Sequence, residues 1–255
     1  MICDNNHCFD IAKEGYVNLL PAQHKKTKNP GDNNIMIRCR KDFLSKGYFQ
    51  FLVPEIVSII EKYNNNSFPM AFLDVGCGEG YFVDKIKKQL DRPANYYAMD
   101  ISREAIRLAA RRNNSICWFV ASSNNIPIED NSLDIVLKIN APLNYLNIKN
   151  KLSTNAFVIS VTPGKQHLEK LRELMYLKPA IHKQESTPEG FSLLQNQQIK
   201  APLYLSDAQD IYNLFKMTPY YWNASNDAKK NILSLESLDT IASFNINVYK
   251  VETQN

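Results

Sequence analysis

Leu73-Asp74-Val75-Gly76-Cys77-Gly78-Glu79-Gly80-Tyr81 places three of the chain's eight glycines inside five residues. Glycine accepts positive φ and lets a ligand approach the backbone closely. At a junction of strand and helix, such a loop lines the usual ligand crevice of an open α/β sheet. A dinucleotide loop is spaced G-x-G-x-x-G and seats a pyrophosphate on the helix N-terminus. Here the spacing is G-x-G-x-G, with Asp74 before the loop and Glu79 within it. Acids on both sides repel a pyrophosphate and attract a cation. S-Adenosylmethionine, which carries a sulfonium and an ammonium, suits a loop of this kind. Asp100 closes the next apolar run, twenty residues beyond Gly80. That position lets its carboxylate receive both hydroxyls of a ribose. The plainer reading is a glycine turn followed by an Asp that caps a helix.

Three other groups of residues have chemical potential. Asn140-Ala141-Pro142 follows the fourth apolar run and reads either as a turn or as a group facing a substrate. Cys3 and His7 form C-x3-H, half of a zinc-ligand set, with no C-x2-C before it. Between Ala22 and Lys46 stand Lys25, Lys26, Lys28, Arg38, Arg40, Lys41 and Lys46 against Asp32 and Asp42, a local +5, so the rest of the chain carries −1. Such a stretch neutralises phosphates and steers a polyanion, or else it is a solvated helix face with a basic loop before it.

The elements that would position these groups are visible as alternating patterns. Short apolar runs at 71–75, 95–101, 116–121, 133–139 and 156–162 have the length and composition of buried strands. Helical stretches lie between them, clearest at 81–90 and 102–112, the latter opened by Ser102 as N-cap. Strands alternating with helices predict a mostly parallel, doubly wound sheet covered on both faces. Upstream, helices are expected at 34–45 and 49–62. Downstream the pattern predicts a helix at 165–177, a polar insert at 178–190 and a strand at 191–194. Beyond it come helices at 207–215, capped by Ser206, and at 226–236, and a last strand from Ile241 to Val251 as an antiparallel edge.

With 255 residues, 44% hydrophobic and 22% charged, the chain can bury a sizeable core and is neither disordered nor in need of disulfide staples. Its apolar stretches are too interrupted to span a bilayer. The five cysteines lack framework spacing, and the start lacks a secretory layout, so a reduced, cytoplasmic protein is expected.

Taken together, the residues resemble the RlmA-type large-subunit (23S) ribosomal RNA guanine-N1-methyltransferases nearly end to end. The resemblance rests on Lys13-Glu14-Gly15-Tyr16-Val17-Asn18-Leu19-Leu20-Pro21, Gln23-His24-Lys25, Pro30-Gly31-Asp32 and the glycine loop. Further along it rests on Val120-Ala121-Ser122-Ser123, Thr162-Pro163-Gly164 with His167-Leu168, and Met217-Thr218-Pro219 with Trp222. It implies a class I, seven-stranded methyltransferase sheet over 49–255 and a zinc-ribbon-like, basic, RNA-contacting region over 1–48. It also implies a homodimer whose cleft receives a 23S rRNA hairpin. Gly78, Glu79 and His167 match cofactor contacts, with Asp74, Gly76, Gly80 and Asp100 around them, and Phe49 stands where the family has a cofactor-contacting Tyr. Ser122 or Ser123 stands in place of an acid near adenine. Cys3 and His7 match the second half of the zinc set; water or a donor such as Cys8 would have to complete the tetrahedron unless translation starts upstream. Leu152-Ser153-Thr154-Asn155-Ala156 replaces a Pro-Gly-Gly turn, and Asn155 can take the left-handed conformation needed.

The expected reaction is methyl transfer from S-adenosylmethionine to guanine N1. Neutral N1 carries a proton, so a general base or a hydrogen bond stabilising the enolate-like form is needed; by residue type His24, His167 and Asp32 are candidates for the base. Lys25, Lys26, Lys28, Arg38, Arg40 and Lys41 would hold rRNA phosphates. The competing readings are a small-molecule methyltransferase, which leaves the basic N-terminus unused, and a non-catalytic rRNA-binding relative.

Overall fold

The computed structural model describes residues 6, 8–20, 30–64, 69–90, 92–176 and 182–252. Its first half runs β1 (Val17–Asn18), α1 (Asn34–Ser45), α2 (Leu52–Tyr63), β2 (Met70–Val75), α3 (Tyr81–Gln89), β3 (Ala94–Asp100), α4 (Arg103–Arg112) and β4 (Cys117–Val120). There follow β5 (Leu133–Ile139), α5 (Tyr145–Lys149), β6 (Leu152–Pro163), α6 (Glu169–Met175) and β7 (Phe191–Leu205). The chain ends with α7 (Ala208–Lys216), α8 (Pro219–Asn223), α9 (Asn226–Leu233) and β8 (Leu238–Val251).

All strands join one sheet in the order β1-β4-β3-β2-β5-β6-β8-β7. β2 pairs in parallel with β3 on one side and β5 on the other, so the strand order reverses direction between β2 and β5. β2 is buried on both faces, with Phe72 and Leu73 fully enclosed. Burying each such side chain contributes roughly 1.5–3 kcal/mol, and this is why the run is apolar apart from Asp74. Seven strands make the expected doubly wound sheet. An eighth, the two-residue β1, adds to β4 through Val17 and Asn18; a two-residue strand has no period to detect.

Two expectations at the other end need correction. The antiparallel strand is β8, but it lies inside the sheet, between β6 and β7, not at its edge. The edge is β7, which extends to Leu205 instead of stopping at Leu194. Its middle, Gln195 to Lys200, is polar and alternates between half-buried and exposed because one side of an edge strand faces water. Polar residues there erase the apolar signal without breaking the ladder. Among the caps, Ser102 accepts from Ala105 N as expected, whereas Asp207, not Ser206, caps α7 by accepting from Gln209 N. Asn155 is left-handed at φ 68°, so the replaced turn is made by an asparagine.

α1 opens on Asn33, whose side chain accepts from Ile35 N and Met36 N. Its Phe43 and Leu44 share one core with Tyr16 and Leu20 before it and with α2, α3, β6 and β8 after it. Side chains from both sides of position 48 therefore pack together. α1 lies against α7, α3 and α4, roofing the carboxyl ends of the central strands.

Candidate active site

A cavity of about 830 Å³ opens where the strand order reverses. It is lined by the last residues of four strands, Val75, Asp100, Ile139 and Pro163, and roofed by Met36, Arg40 and Leu44 of α1. This is the crevice expected of a doubly wound sheet.

The glycine loop forms its floor. Gly76 N and Cys77 N both donate to Met99 O, at 2.8 and 3.0 Å, tying the loop to the end of β3. Gly76 is glycine because the chain after β5 crosses over it: any Cβ there would overlap Ala141. Gly80 has φ 80°, and a Cβ on it would stand 2.6 Å from the Trp118 ring and 2.9 Å from Ala109. At Gly78, by contrast, the nearest protein atom to a built Cβ is the Arg40 guanidinium at 3.7 Å. The bare backbone at Gly78 thus borders open cavity.

Three carboxylates sit around this loop, each in a different state. Asp100 uses one oxygen to accept from Gly78 N (3.0 Å) and the other from Ser102 N (2.8 Å). It joins the loop to the helix that follows β3, and burial still raises its pKa. Asp74 is 2% exposed, and its carboxyl is pushed up to about 8, first by burial and then by the nearby charge of Asp100. Glu79 is divided between the protein and the cavity. Its Oε2 forms a tight ion pair with Arg112 of α4, while Oε1 is buried without a partner. Its charge is therefore largely met by the protein, whereas neither Asp74 nor Asp100 has an ion-pair partner among the described residues.

The opposite wall comes from distant parts of the chain. Phe49 packs edge-on against Phe43 and Phe244 and stands 5.9 Å, centroid to centroid, from His167. His167 Nδ1 accepts from Ser243 N at 3.3 Å, so the neutral ring carries its proton on Nε2. Burial pushes its pKa down to about 3. The next residue, Leu168, is fully buried at φ 51°, a costly conformation for a bulky side chain. Its N–H bond to Ile241 O, at 2.8 Å, holds the turn that presents His167. Ser122 lines the cavity with its hydroxyl accepting from Asn124 N. Asn140 lines it too, left-handed at φ 52°.

Sequence reasoning missed several lining residues. Tyr81 and Thr162 have buried hydroxyl oxygens without partners, and both face this space. His182 and Tyr220 also line it, bonded to each other at 2.8 Å between Nε2 and Oη. Tyr81 and Thr162 were within quoted motifs, but nothing in spacing assigns them a task. His182 lies in a stretch read only as a polar insert, and no local pattern could bring it beside Tyr220.

Arg40 pairs with Asp32 at 2.5 Å and donates to Met217 O. Arg38 and Lys41 are exposed on the same helix. Cys3, His7, His24, Lys25, Lys26 and Lys28 lie outside the described residues. Among the described residues there is no group of three or more His, Cys, Asp or Glu able to hold a metal ion. Among them, too, no helix is long and apolar enough to cross a membrane.

Fold and cavity together define a class I methyltransferase, and residues 72–164 match the profile described as "Methyltransferase domain". Residues 1–28 match the zinc-ribbon profile described as "RlmA, N-terminal". YxjB of Bacillus subtilis (strain 168), named as a candidate 23S rRNA (guanine-N1)-methyltransferase, is 27% identical over 248 residues, 94% of this chain and 86% of its own. The 23S rRNA (guanine(748)-N(1))-methyltransferase of Streptomyces fradiae is 26% identical over 231 residues, 88% of this chain and 81% of its own. Over most of its length the chain is thus similar to proteins named as 23S rRNA (guanine-N1)-methyltransferases, with an RlmA-type N-terminal match at residues 1–28.

Proposed function

We propose that this chain transfers the methyl group of S-adenosylmethionine to N1 of a guanine in a hairpin of 23S ribosomal RNA. The observation that carries the reading is the acid-floored cavity at the strand-order reversal, in a chain similar over most of its length to proteins named for that reaction. The cavity fits the cofactor by three features: open space over Gly78, two acids with no ion-pair partner among the described residues, and orphaned polar atoms on Glu79, Tyr81 and Thr162.

When bound, S-adenosylmethionine supplies an electrophilic methyl group on a sulfonium. Asp100 keeps lone pairs for ribose hydroxyls while its two backbone bonds hold it still. Asp74 favours the cationic portion, and Gly76, Gly78 and Gly80 admit the ligand to the backbone. His167 offers Nε2–H as a donor, Phe49 offers a ring face, and Ser122 offers a hydroxyl near the base. Holding donor and acceptor in line, with water excluded by α1, supplies most of the acceleration.

Arg38 and Lys41, with Lys25, Lys26 and Lys28, serve as phosphate contacts that position rRNA without reading its bases. Cys3 and His7 supply two of the four donors that a zinc tetrahedron takes; metal content of the purified chain measures whether another donor completes the set. A cytoplasmic homodimer is part of the same reading, and sedimentation equilibrium tests the dimer.

The decisive experiment is transfer of labelled methyl to unmodified 23S rRNA, with the product mapped by mass spectrometry. A 1-methylguanine in a hairpin is expected. Methylation of a metabolite instead would select a small-molecule enzyme, and rRNA binding without cofactor binding would select a non-catalytic relative.

A further inference from the structure

The proton on guanine N1 must leave during the transfer, and a side chain placed as general base in the cavity would receive it. Resting on the function proposed above, we infer that His182 is that general base and that Tyr220 is the residue that positions it. Among the described residues, the other titratable groups lining the cavity are each unsuited. Asp32 is held in an ion pair by Arg40, and Glu79 by Arg112. Asp74 and Asp100 belong to the glycine-loop floor with the cofactor's cationic and ribose portions. The Cys77 thiol is buried beside three acids, which favours its protonated form. Tyr81 and Tyr220 are phenols whose ionisation burial opposes. His167 has the right chemistry but the wrong tautomer: Nδ1 already accepts from the backbone of Ser243, so Nε2 carries a hydrogen and cannot receive another.

His182 remains. It is half-buried, at the cavity wall opposite the glycine loop, with its ring 6.3 Å from that of His167. In the tautomer that donates Nε2–H to the Tyr220 oxygen, Nδ1 is left as an acceptor. Tyr220 is fixed at the start of α8, next to Pro219. The charged and titratable groups facing the imidazole are Tyr220 from α8, His167 from the turn before α6 and Arg172 from α6. Burial first, then the Arg172 charge, lowers the pKa of His182, so the ring is neutral and ready to accept at neutral pH.

The step balances. The N1–H bonding pair becomes the N1–methyl bond, the methyl–sulfur bond breaks, and its electron pair stays on sulfur. The proton passes to His182 Nδ1 and then to water. One positive charge leaves the sulfonium and one appears on the imidazole, so the site's total charge is unchanged.

Single-turnover methyl transfer to unmodified rRNA, followed against pH for wild type, His182→Ala, His182→Gln and Tyr220→Phe, tests the assignment. Cofactor binding by calorimetry is run in parallel. Wild type should show a plateau above an apparent pKa below the ordinary histidine value. Both His182 variants should lose roughly 100- to 10,000-fold in rate, gain a rate that climbs tenfold per pH unit, bind cofactor as before, and recover activity with added imidazole. Tyr220→Phe should keep the plateau, shift its pKa and lose roughly tenfold or less. Nitrogen NMR of the unliganded protein gives a readout independent of turnover: His167 should stay in the Nε2–H form from pH 5 to 8. Wild-type rate and plateau in both His182 variants would overturn the assignment, as would His167 titrating near neutrality. If wild type binds cofactor but methylates no rRNA, the functional reading itself fails, and the base assignment falls with it.

Discussion

The floor and the far wall of the cavity solve the same problem, holding polar groups away from water, by opposite means. The floor is local. Asp74, Gly76, Gly78, Glu79 and Gly80 follow one another along a single turn, and Asp100 is one strand away. Each feature there has an immediate backbone cause, such as the Met99 carbonyl that takes two loop N–H groups. The far wall is assembled from Phe49, His167, His182 and Tyr220, which approach each other only after α2, α6 and α8 have packed on the sheet. The floor presents Asp74 and Asp100, neither ion-paired among the described residues, whereas the wall presents aromatic rings and neutral imidazoles. A cationic cofactor and a flat neutral base would each find the matching side.

The largest expected effect tests the rigidity of the floor. Gly76→Val places a side chain into Ala141 at a positive φ, and should cost about 3 kcal/mol or more in urea unfolding while abolishing cofactor binding. Next, Arg112→Met leaves Glu79 buried without its cation. A loss of about 3 kcal/mol is expected, and Arg112→Met with Glu79→Gln should recover much of it. Equal loss in the double variant would mean that the pair is not what holds the loop.

The acidity of the floor is open to a pH test. The Asp74 carboxyl titrates near 8 in the free protein, so a cationic ligand that needs the carboxylate should bind more tightly as pH rises from 6 to 9. Calorimetry should show proton release on binding, and Asp74→Asn should remove both the pH dependence and about tenfold or more of affinity. The same raised pKa acts on folding with a definite sign. The unfolded chain gives up this proton near 3.8 and the folded one near 8, so this group's contribution to stability falls as pH rises between them. Asp74→Asn should therefore melt a few degrees higher than wild type at pH 8, on the order of 1 kcal/mol. Unchanged melting with lost binding would place Asp74 in water rather than in the floor.

The smallest effects belong outside the cavity. Arg38→Ala and Lys41→Ala should each weaken rRNA binding a few-fold and lower the salt slope by about one, with cofactor affinity unchanged. A shift in cofactor affinity would show that α1 acts as part of the wall and not as a phosphate contact.

Much of the floor was legible because it is a short-range object. Spacing alone separates G-x-G-x-G from a pyrophosphate loop, and the apolar runs of β2, β3 and β5 mark where it must sit. Glu79 shows the limit: its place between two glycines points to a cation, and spacing gives no sign that the protein's own Arg112, 33 residues away, pairs with it. β7 was legible only at its apolar start, because an edge strand needs backbone partners but no apolar middle. Arg40 read as a surface charge by composition, and the packing of α1 turns it inward to Asp32.

The sequence by itself determined the alternation of strands and helices, the glycine turn and the acids near the carboxyl ends of β2 and β3, because hydrophobic period and backbone permissiveness act within a few residues. Only the tertiary structure decided which acid is ion-paired, which histidine has its acceptor nitrogen already taken, and which lies bonded to Tyr220. Those properties depend on ion pairs, hydrogen bonds and burial between residues brought together by the sheet order, and separation along the chain carries no record of them.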